Sequence, residues 1–211
     1  MFHVKHGKKM TEQPPLAAEI VTNQQRLKKI EATELSHLQN PRIFAVTNQK
    51  GGVGKTTSAV NIAAALASKG MRVLVVDLDP QGNASTALGV EHHGDVEGTY
   101  EAIISAKPLK ELVKVSTFSE NLLCLPATLN LAGAEIEMVS IPSREFLLKN
   151  ALNEFFTQSE QGLDYVFIDS PPSLGLLTIN AFVAADDVLL PIQCEYYALE
   201  GLSQLMNNIQ R

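Results

Sequence analysis

Residues 47–57 form a glycine-rich stretch between an apolar run and an Ala-rich segment, and this arrangement restricts the possible folds more than any other part of the sequence. The run before it, residues 43–46, is long enough for a buried strand but too short for a helix. The segment after it, residues 56–68, has the composition of a helix that ends near Gly70. A strand, a glycine-rich turn and a helix in that order predict a phosphate-binding loop, because glycines let backbone N–H groups converge on anionic oxygens.

The polar residues of this loop can bind the phosphates and the metal ion of a nucleoside triphosphate. We expect Lys55 to reach the β- and γ-phosphates and the Thr56 hydroxyl to ligate Mg²⁺. The alternative is a glycine-rich turn without a ligand, which does not explain two lysines and two threonines at positions that serve no packing purpose. The residues expected to bind the nucleotide are Lys50, Gly51, Gly52, Val53, Gly54, Lys55, Thr56 and Thr57.

Aspartates follow two further predicted strands. Asp77 and Asp79 come at the end of an apolar run and lead into a turn, and they would share one side of the strand if the strand continued. Asp169 follows four apolar residues, as in a Walker B strand whose carboxylate lies near Mg²⁺. Each signal is weak alone, since aspartate turns are common in α/β proteins. Together with the preceding loop they predict a site at the carboxyl ends of the strands.

From residue 43 onward, apolar runs alternate with helical stretches, which predicts an α/β fold with a mostly parallel twisted sheet and helices on both faces. The predicted strands are 43–46, Val73–Asp77, 122–125, 165–168 and 188–192. The predicted helices are 56–68, Thr99–Ile104, Leu131–Met138, 144–156, Leu176–Ala184 and 199–210. We expect residues 1–41 to form an extension that contains one amphipathic helix. This helix would either pack on the domain of the same chain, be partly disordered, or dock onto a partner.

Composition narrows the classes of function and the compartment. The net charge of −6 and the absence of a strong basic patch do not favour a nucleic-acid binder. No apolar run approaches the length of a membrane span, and no apolar segment of a secretory signal follows the basic first residues, so we expect a cytoplasmic protein. Cys124 and Cys194 lie far apart without a metal-binding spacing, which indicates two buried free thiols.

The loop departs from the common phosphate-loop pattern, because Gln49 occupies the position of the first glycine and Lys50 adds a second lysine. The sequence Lys-Gly-Gly-Val-Gly-Lys-Thr-Thr is similar to the deviant Walker A motif of the ParA/MinD group of ATPases. Over residues 42–211 the chain resembles ParA/Soj-type chromosome and plasmid partition ATPases. Further segments that carry the resemblance are Asp77–Asn83 with its Pro-Gln-Gly-Asn sequence, Leu-Ala-Gly-Ala-Glu at 131–135, residues 173–180 and residues 191–201.

The resemblance implies an ATPase that binds Mg²⁺ and ATP as a sandwich dimer and hydrolyses ATP slowly. Its catalytic residues would be Lys55, Lys50 reaching across the dimer to the partner's nucleotide, and Asp79 orienting water with Asp77 beside it. Thr56 and Asp169 would form the metal site. The implied partners are a second copy of the chain, a ParB-type centromere-binding protein and non-specific DNA. The implied location is the nucleoid within the cytoplasm, without stable membrane association.

Two alternatives of function remain open, together with a question about the extent of the domain. A MinD-like division-site ATPase would need an amphipathic C-terminal helix, and a nucleotide-sensing interaction module would bind ATP without turnover. An iron–sulfur reductase of the same superfamily would need a bridging cysteine pair, which the two cysteines do not offer. Because the chain stops at Arg211 within a helical pattern, we expect a domain truncated at its C-terminus, with the adenine and DNA contacts beyond that residue. Chromosomal and plasmid cargo are not distinguished.

Overall fold

The computed structural model describes residues 16–158 and 162–193, and the chain divides into a unit of residues 1–35 and a unit of residues 36–211. In the first unit, helix α1 (Leu16–Glu31) is followed by a short non-helical segment. Its larger apolar side chains are largely exposed: Ile20, Val21, Leu27 and Ile30.

The second unit has the alternating pattern of an α/β fold. Its strands are β1 (Arg42–Val46), β2 (Val73–Asp77), β3 (Lys114–Ser116), β4 (Ser119–Leu125), β5 (Tyr165–Asp169) and β6 (Asp187–Leu189). Its helices are α2 (Lys55–Ser68), α3 (Asn83–Ala87), α4 (Thr99–Ile104), α5 (Leu109–Leu112), α6 (Leu131–Met138), α7 (Leu147–Gln158) and α8 (Leu176–Ala184).

Within the described residues these strands form a single six-stranded sheet in the order β3-β4-β2-β5-β1-β6. Four of these strand pairs are parallel: β2–β4, β2–β5, β1–β5 and β1–β6. The outermost pair, β3–β4, is antiparallel. The prediction of a mostly parallel sheet is confirmed. Both faces of the central strands are buried, which explains why β2 is apolar along its length rather than alternating.

Helices cover both faces of the sheet. Helix α2 packs on β2, β4 and β5 through Ala59, Ala63 and Ala67, and these small side chains are buried along one stripe of the helix. The other face carries the main apolar cluster, in which alternate residues of β1, β2 and β5 meet α4, α6, α7 and α8.

The predicted helix at 144–156 is wrong at its start, where the structure has a 3₁₀ turn (Arg144–Phe146) before α7 begins at Leu147. The buried side chain of Asn180 explains the break. Its Nδ2 donates to the Arg144 carbonyl at 2.9 Å and its Oδ1 accepts from the Leu148 N–H at 3.1 Å, so backbone groups that a continuous helix would pair bond to a neighbouring helix instead.

Other differences concern short elements. Helices α3 and α5 and strand β3 were not predicted, because three to five residues are too few to show an apolar period. The last predicted strand, 188–192, is shorter and begins earlier, at Asp187–Leu189, where Asp187 pairs with Arg42 at 2.6 Å. The predicted helix 199–210 and Cys194 lie outside the described residues. No helix in the described ranges combines the length and the apolar character that a bilayer crossing requires.

Candidate functional site

The strand order brings the three predicted motifs to one edge of the sheet. Strand β5 lies between β1 and β2, so that Asp169 pairs with Val46 on one side and with Asp77 on the other. Since the strands are parallel, the segments that follow them leave the sheet at the same edge. There they surround an open pocket of about 420 Å³, lined by Gly51, Gly52, Gly54, Lys55, Thr56, Thr57, Asp79, Asn83 and Pro172.

The backbone of the glycine-rich loop leaves room for an anion. Gly52 and Gly54 have φ angles of 73° and 91°, in the left-handed region that favours glycine. Gly54 is the N-cap of α2, and no side chain caps this helix end. A Cβ built on Gly51, Gly52 or Gly54 would meet no atom within 4 Å, so the space in front of the loop is open. The loop therefore presents backbone N–H groups and a helix N-terminus to the pocket.

The two lysines of the loop occupy different environments. Lys55 is 8% exposed, and its Nζ donates to the carbonyl of Lys50 at 3.3 Å, across the loop. Lys50 is exposed, and its Nζ donates to Oε1 of Gln193 at 3.3 Å. The amide of Gln193 in turn donates to the Gly52 carbonyl at 3.2 Å. Lys55 therefore belongs to the pocket of its own chain, whereas the charge of Lys50 lies at the outer surface of the loop.

The predicted metal ligands contact each other. The hydroxyl of Thr56 donates to Oδ2 of Asp169 at 2.7 Å. The other carboxylate oxygen, Oδ1, is buried and has no hydrogen-bond partner among the residues that the structure describes. Burial raises the pKa of Asp169 to about 7, against the opposing effect of the Thr56 hydrogen bond. The unpaired carboxylate oxygen of Asp169 and the neighbouring Thr56 hydroxyl are both oxygen ligands of the kind that Mg²⁺ prefers.

Asp77 and Asp79 face different surroundings. Strand β2 ends at Asp77, so the alternation that would carry both side chains to one side stops there. Asp79 lines the pocket, and its Oδ1 accepts from the Gln81 N–H at 3.0 Å. Asp77 is fully buried, and its Oδ2 accepts from the N–H and the hydroxyl of Ser85 at 2.8 and 2.7 Å. Its Oδ1 accepts from the Asp79 N–H at 3.1 Å, so Asp77 holds the backbone of Asp79 rather than lining the pocket itself.

Three residues at the site were not among the predicted site residues. Asn83 and Pro172 line the pocket, and Gln193 holds Lys50. Asn83 ends the Pro-Gln-Gly-Asn segment and Pro172 follows the predicted Walker B aspartate, so both belong to motifs that the sequence displays. Val53, predicted as part of the nucleotide site, is only 9% exposed and is not among the residues that line the pocket.

Comparisons with known proteins identify the family of this chain. A family model described as an AAA domain (AAA_31) matches residues 41–211. The sporulation initiation inhibitor protein Soj of Bacillus subtilis is 54% identical over 169 residues, which are 80% of this chain and 65% of that protein. This chain belongs to the AAA family and is of the ParA/Soj type.

Further relatives extend this result. The chromosome partitioning protein ParA of Myxococcus xanthus is 52% identical over 168 residues, or 80% of this chain and 58% of the relative. The crystal structure of cobyrinic acid a,c-diamide synthase from Mycobacterium smegmatis, with bound ATP analog and magnesium, is similar to this chain with a TM-score of 0.73 and 40% sequence identity. The matched region covers 81% of this chain and 67% of the synthase chain. A plasmid partition protein from Borrelia burgdorferi has a TM-score of 0.70 at 28% identity, covering 82% and 73%. This ParA/Soj-type chain thus spans less than two thirds of the length of the two curated relatives.

Proposed function

We propose that this chain binds Mg·ATP in the pocket described above and hydrolyses it in the course of DNA partitioning. The observation that carries the proposal is the convergence of Lys55, Thr56, Asp79 and Asp169 on the edge of the sheet where the glycine-rich loop opens. The names of the Soj and ParA relatives support the partitioning role. The ATP analog and magnesium bound in the similar Mycobacterium smegmatis protein support the choice of ligand.

The loop and Lys55 would bind the phosphates of ATP. The N–H groups of residues 51–54 would donate to β- and γ-phosphate oxygens, and the dipole of α2 would stabilise their charge. Among the described residues, the Lys55 ammonium bonds to a loop carbonyl at 3.3 Å. A weak contact of this kind can be exchanged for a charge-assisted bond to a phosphate at little cost.

Thr56 and Asp169 would hold Mg²⁺, with Thr56 as a direct ligand and Asp169 ordering the water around the ion. When bound, Mg²⁺ neutralises the charge on the β- and γ-phosphate oxygens. The carboxylate oxygen of Asp169 that lacks a hydrogen bond within the described residues would then gain a partner. This gain offsets the cost of keeping a buried carboxylate ionised.

Asp79 would orient the attacking water by accepting a hydrogen bond from it. The water oxygen attacks the γ-phosphorus, and the bond from that phosphorus to the bridging oxygen of ADP breaks. Asp77 would act through Asp79, because it bonds to the Asp79 N–H and to Ser85 while remaining buried. Positioning and charge neutralisation supply most of the rate enhancement in this class of reaction.

Lys50 would act on a second copy of the chain. It lies at the exposed side of a loop that already has Lys55 as its own phosphate lysine, and a second cation there suits a second nucleotide. The nucleotides would thus be held between two copies in a sandwich dimer. We further propose that the ATP-bound dimer of the whole protein binds DNA without sequence preference and that a ParB-type protein stimulates its slow hydrolysis at the nucleoid.

Substitution of Asp79 separates binding from hydrolysis. Asp79→Ala should retain Mg·ATP binding, because the loop and Lys55 remain, but slow phosphate release by about 10² to 10⁴. Lys55→Ala should lose binding itself. Binding of a fluorescent ATP analogue and phosphate release under single-turnover conditions measure the two effects.

Asp95→Ala is the matched control, since Asp95 is exposed and does not line the nucleotide pocket. This control should match the unsubstituted chain in both assays. Normal hydrolysis by Asp79→Ala would contradict the proposed role of Asp79, and loss of ATP binding would reassign it to ligand binding.

A further inference from the structure

The segment that follows Asp169 joins the pocket to helix α8. Its beginning is fastened to β1, because the hydroxyl of Ser170 donates to the Val46 carbonyl at 2.9 Å. Its end is fastened to α8, because the hydroxyl of Thr178 donates to the Ser173 carbonyl at 2.7 Å. Between these two points, Pro172 lines the nucleotide pocket. We call residues 170–175 the pocket loop.

Glu135 reaches the end of the pocket loop from another helix, α6. Its Oε1 accepts from the N–H of Leu177, in the first turn of α8, at 3.2 Å. Leu177 N–H is one of the donors that a helix leaves without an internal partner at its N-terminus. The N-cap of α8 is Gly175, which has no side chain to supply an acceptor. The carboxylate of Glu135 therefore takes the place of an N-cap side chain and suits the positive end of the helix dipole.

Gly175 and Glu135 fit each other closely. A Cβ built on Gly175 would lie 1.9 Å from Oε1 and 2.4 Å from Oε2 of Glu135. The backbone of Gly175, with φ of −84°, is open to any residue, so the neighbour rather than the conformation demands glycine. The carboxylate occupies the position where a side chain would otherwise begin.

We infer that Glu135 is a positioning residue of the nucleotide site. By binding the first turn of α8 and packing on Gly175, it sets where the pocket loop ends, and through the loop it sets the position of Pro172. Helix α6 is thereby coupled to the nucleotide. This role rests on the proposed binding of Mg·ATP. It also gives a function to the Leu-Ala-Gly-Ala-Glu segment, which the roles in phosphate and metal binding leave unexplained.

Paired substitutions test the contact. Gly175→Ala should expel the Glu135 carboxylate and Glu135→Ala should remove it, so the two variants should behave alike. Each should weaken binding of a fluorescent Mg·ATP analogue roughly tenfold, as expected for the loss of one charge-assisted hydrogen bond that supports the site. Amide hydrogen exchange in residues 170–177 should accelerate by a similar factor without nucleotide. The double variant should be no worse than either single one.

Two further variants separate positioning from a general loss of packing. Glu135→Gln retains an oxygen acceptor and should restore most of the exchange protection and affinity. Gly133→Ala, on the same helix, is the matched control, because its Cβ would meet only Glu137 Oε1, at an ordinary 3.6 Å. This control should leave both measurements unchanged. In steady-state hydrolysis, Glu135→Ala should raise KM for ATP more than it lowers kcat.

Three results would overturn the role of Glu135: additive losses in the double variant, unchanged exchange in Glu135→Ala, or unchanged affinity despite faster exchange. A failure of the proposed function would show differently, as an unsubstituted chain that does not bind Mg·ATP. That result would overturn the coupling of α6 to the nucleotide as well.

Discussion

Asp77 and Asp79 illustrate how burial separates two carboxylates one residue apart. Asp77 receives three hydrogen bonds, from Ser85 and from the Asp79 backbone, which makes its complete burial tolerable. Burial still raises its pKa to about 6, since removal of water disfavours the charged form. Asp79 keeps access to the pocket. The difference in solvent access thus separates the two residues: Asp77 supports the local backbone, and Asp79 remains available for chemistry in the pocket.

His92 lies beside the turn at residues 79–82 and gives the stability of the folded chain a dependence on pH. Its nearly buried ring lies against Gly82, where a Cβ would come within 2.4 Å of it, and its Nε2 bonds to the Thr86 hydroxyl at 2.8 Å. Burial, together with the neighbouring His93, lowers the pKa of His92 below its usual value. As pH falls below the usual histidine pKa of about 6.5, the unfolded chain therefore binds more protons at this site than the folded one, and the folded state loses stability.

We expect His92→Gln to reduce this loss. Measured with urea, the free energy of unfolding of the unsubstituted chain should decrease relative to that of the variant as the pH is lowered from about 7.5 to about 5. This comparison cancels the opposite contribution of Asp77 and Asp169, whose raised pKa values make acidification stabilising in both proteins. His93→Gln is the control and should retain most of the difference, because its ring is exposed. An identical dependence on pH in His92→Gln would show that His92 is not the titrating group.

Helix α6 has apolar side chains on two faces, but only one of these faces is buried, so we expect only that face to contribute to the stability of the fold. Leu131, Ala134 and Met138 are fully buried in the main cluster, whereas Ile136 is 80% exposed and Val139, just beyond the end of the helix, is 61% exposed. Met138 also contacts α8, where the Asn180 amide lies 3.7 Å from its sulfur. The apolar composition of the helix by itself does not distinguish these faces.

We expect Met138→Ala to destabilise the chain by about 2 to 5 kcal/mol, since it leaves a cavity in the core. Ile136→Ala, two residues away, should change the stability by no more than about 0.5 kcal/mol. Urea denaturation of both variants measures the difference. Equal losses would mean that a further contact buries the outer face of α6 in solution.

At the scale of the whole molecule, the order of the strands creates the site. Asp77 and Asp169 are 92 positions apart, and Val46 is more than a hundred positions from Asp169, yet they pair directly through β2, β5 and β1. Because the central pairs are parallel, the glycine-rich loop, the Asp79 turn and the pocket loop meet at one edge. An antiparallel arrangement of the same strands would have sent alternate motifs to opposite ends.

Under the proposed function, Lys50 would link ATP binding to the assembly of two chains. Lys50→Ala should leave binding of Mg·ATP to the single chain largely intact, because Lys55 and the loop remain. It should abolish the ATP-dependent dimer, since the partner's nucleotide loses its cation. Analytical ultracentrifugation with and without Mg·ATP measures this, and Lys110→Ala, an exposed lysine of α5, is the matched control. An ATP-dependent dimer of Lys50→Ala would refute a role across the interface.

Patterns of neighbouring residues are enough to predict the fold class, the glycine-rich loop and the strands that carry the aspartates, because each depends on contiguous residues. A strand, left-handed glycines and a helix N-terminus within about 25 residues specify their own local backbone. The folded chain was needed to show that Asp77 is a buried support, that Asn180 interrupts the predicted helix at 144–156, and that Glu135 lies against Gly175. These features depend on burial and on contacts between separate elements. Such contacts arise from the packing of the whole sheet and its helices, and no local pattern of residue types records them.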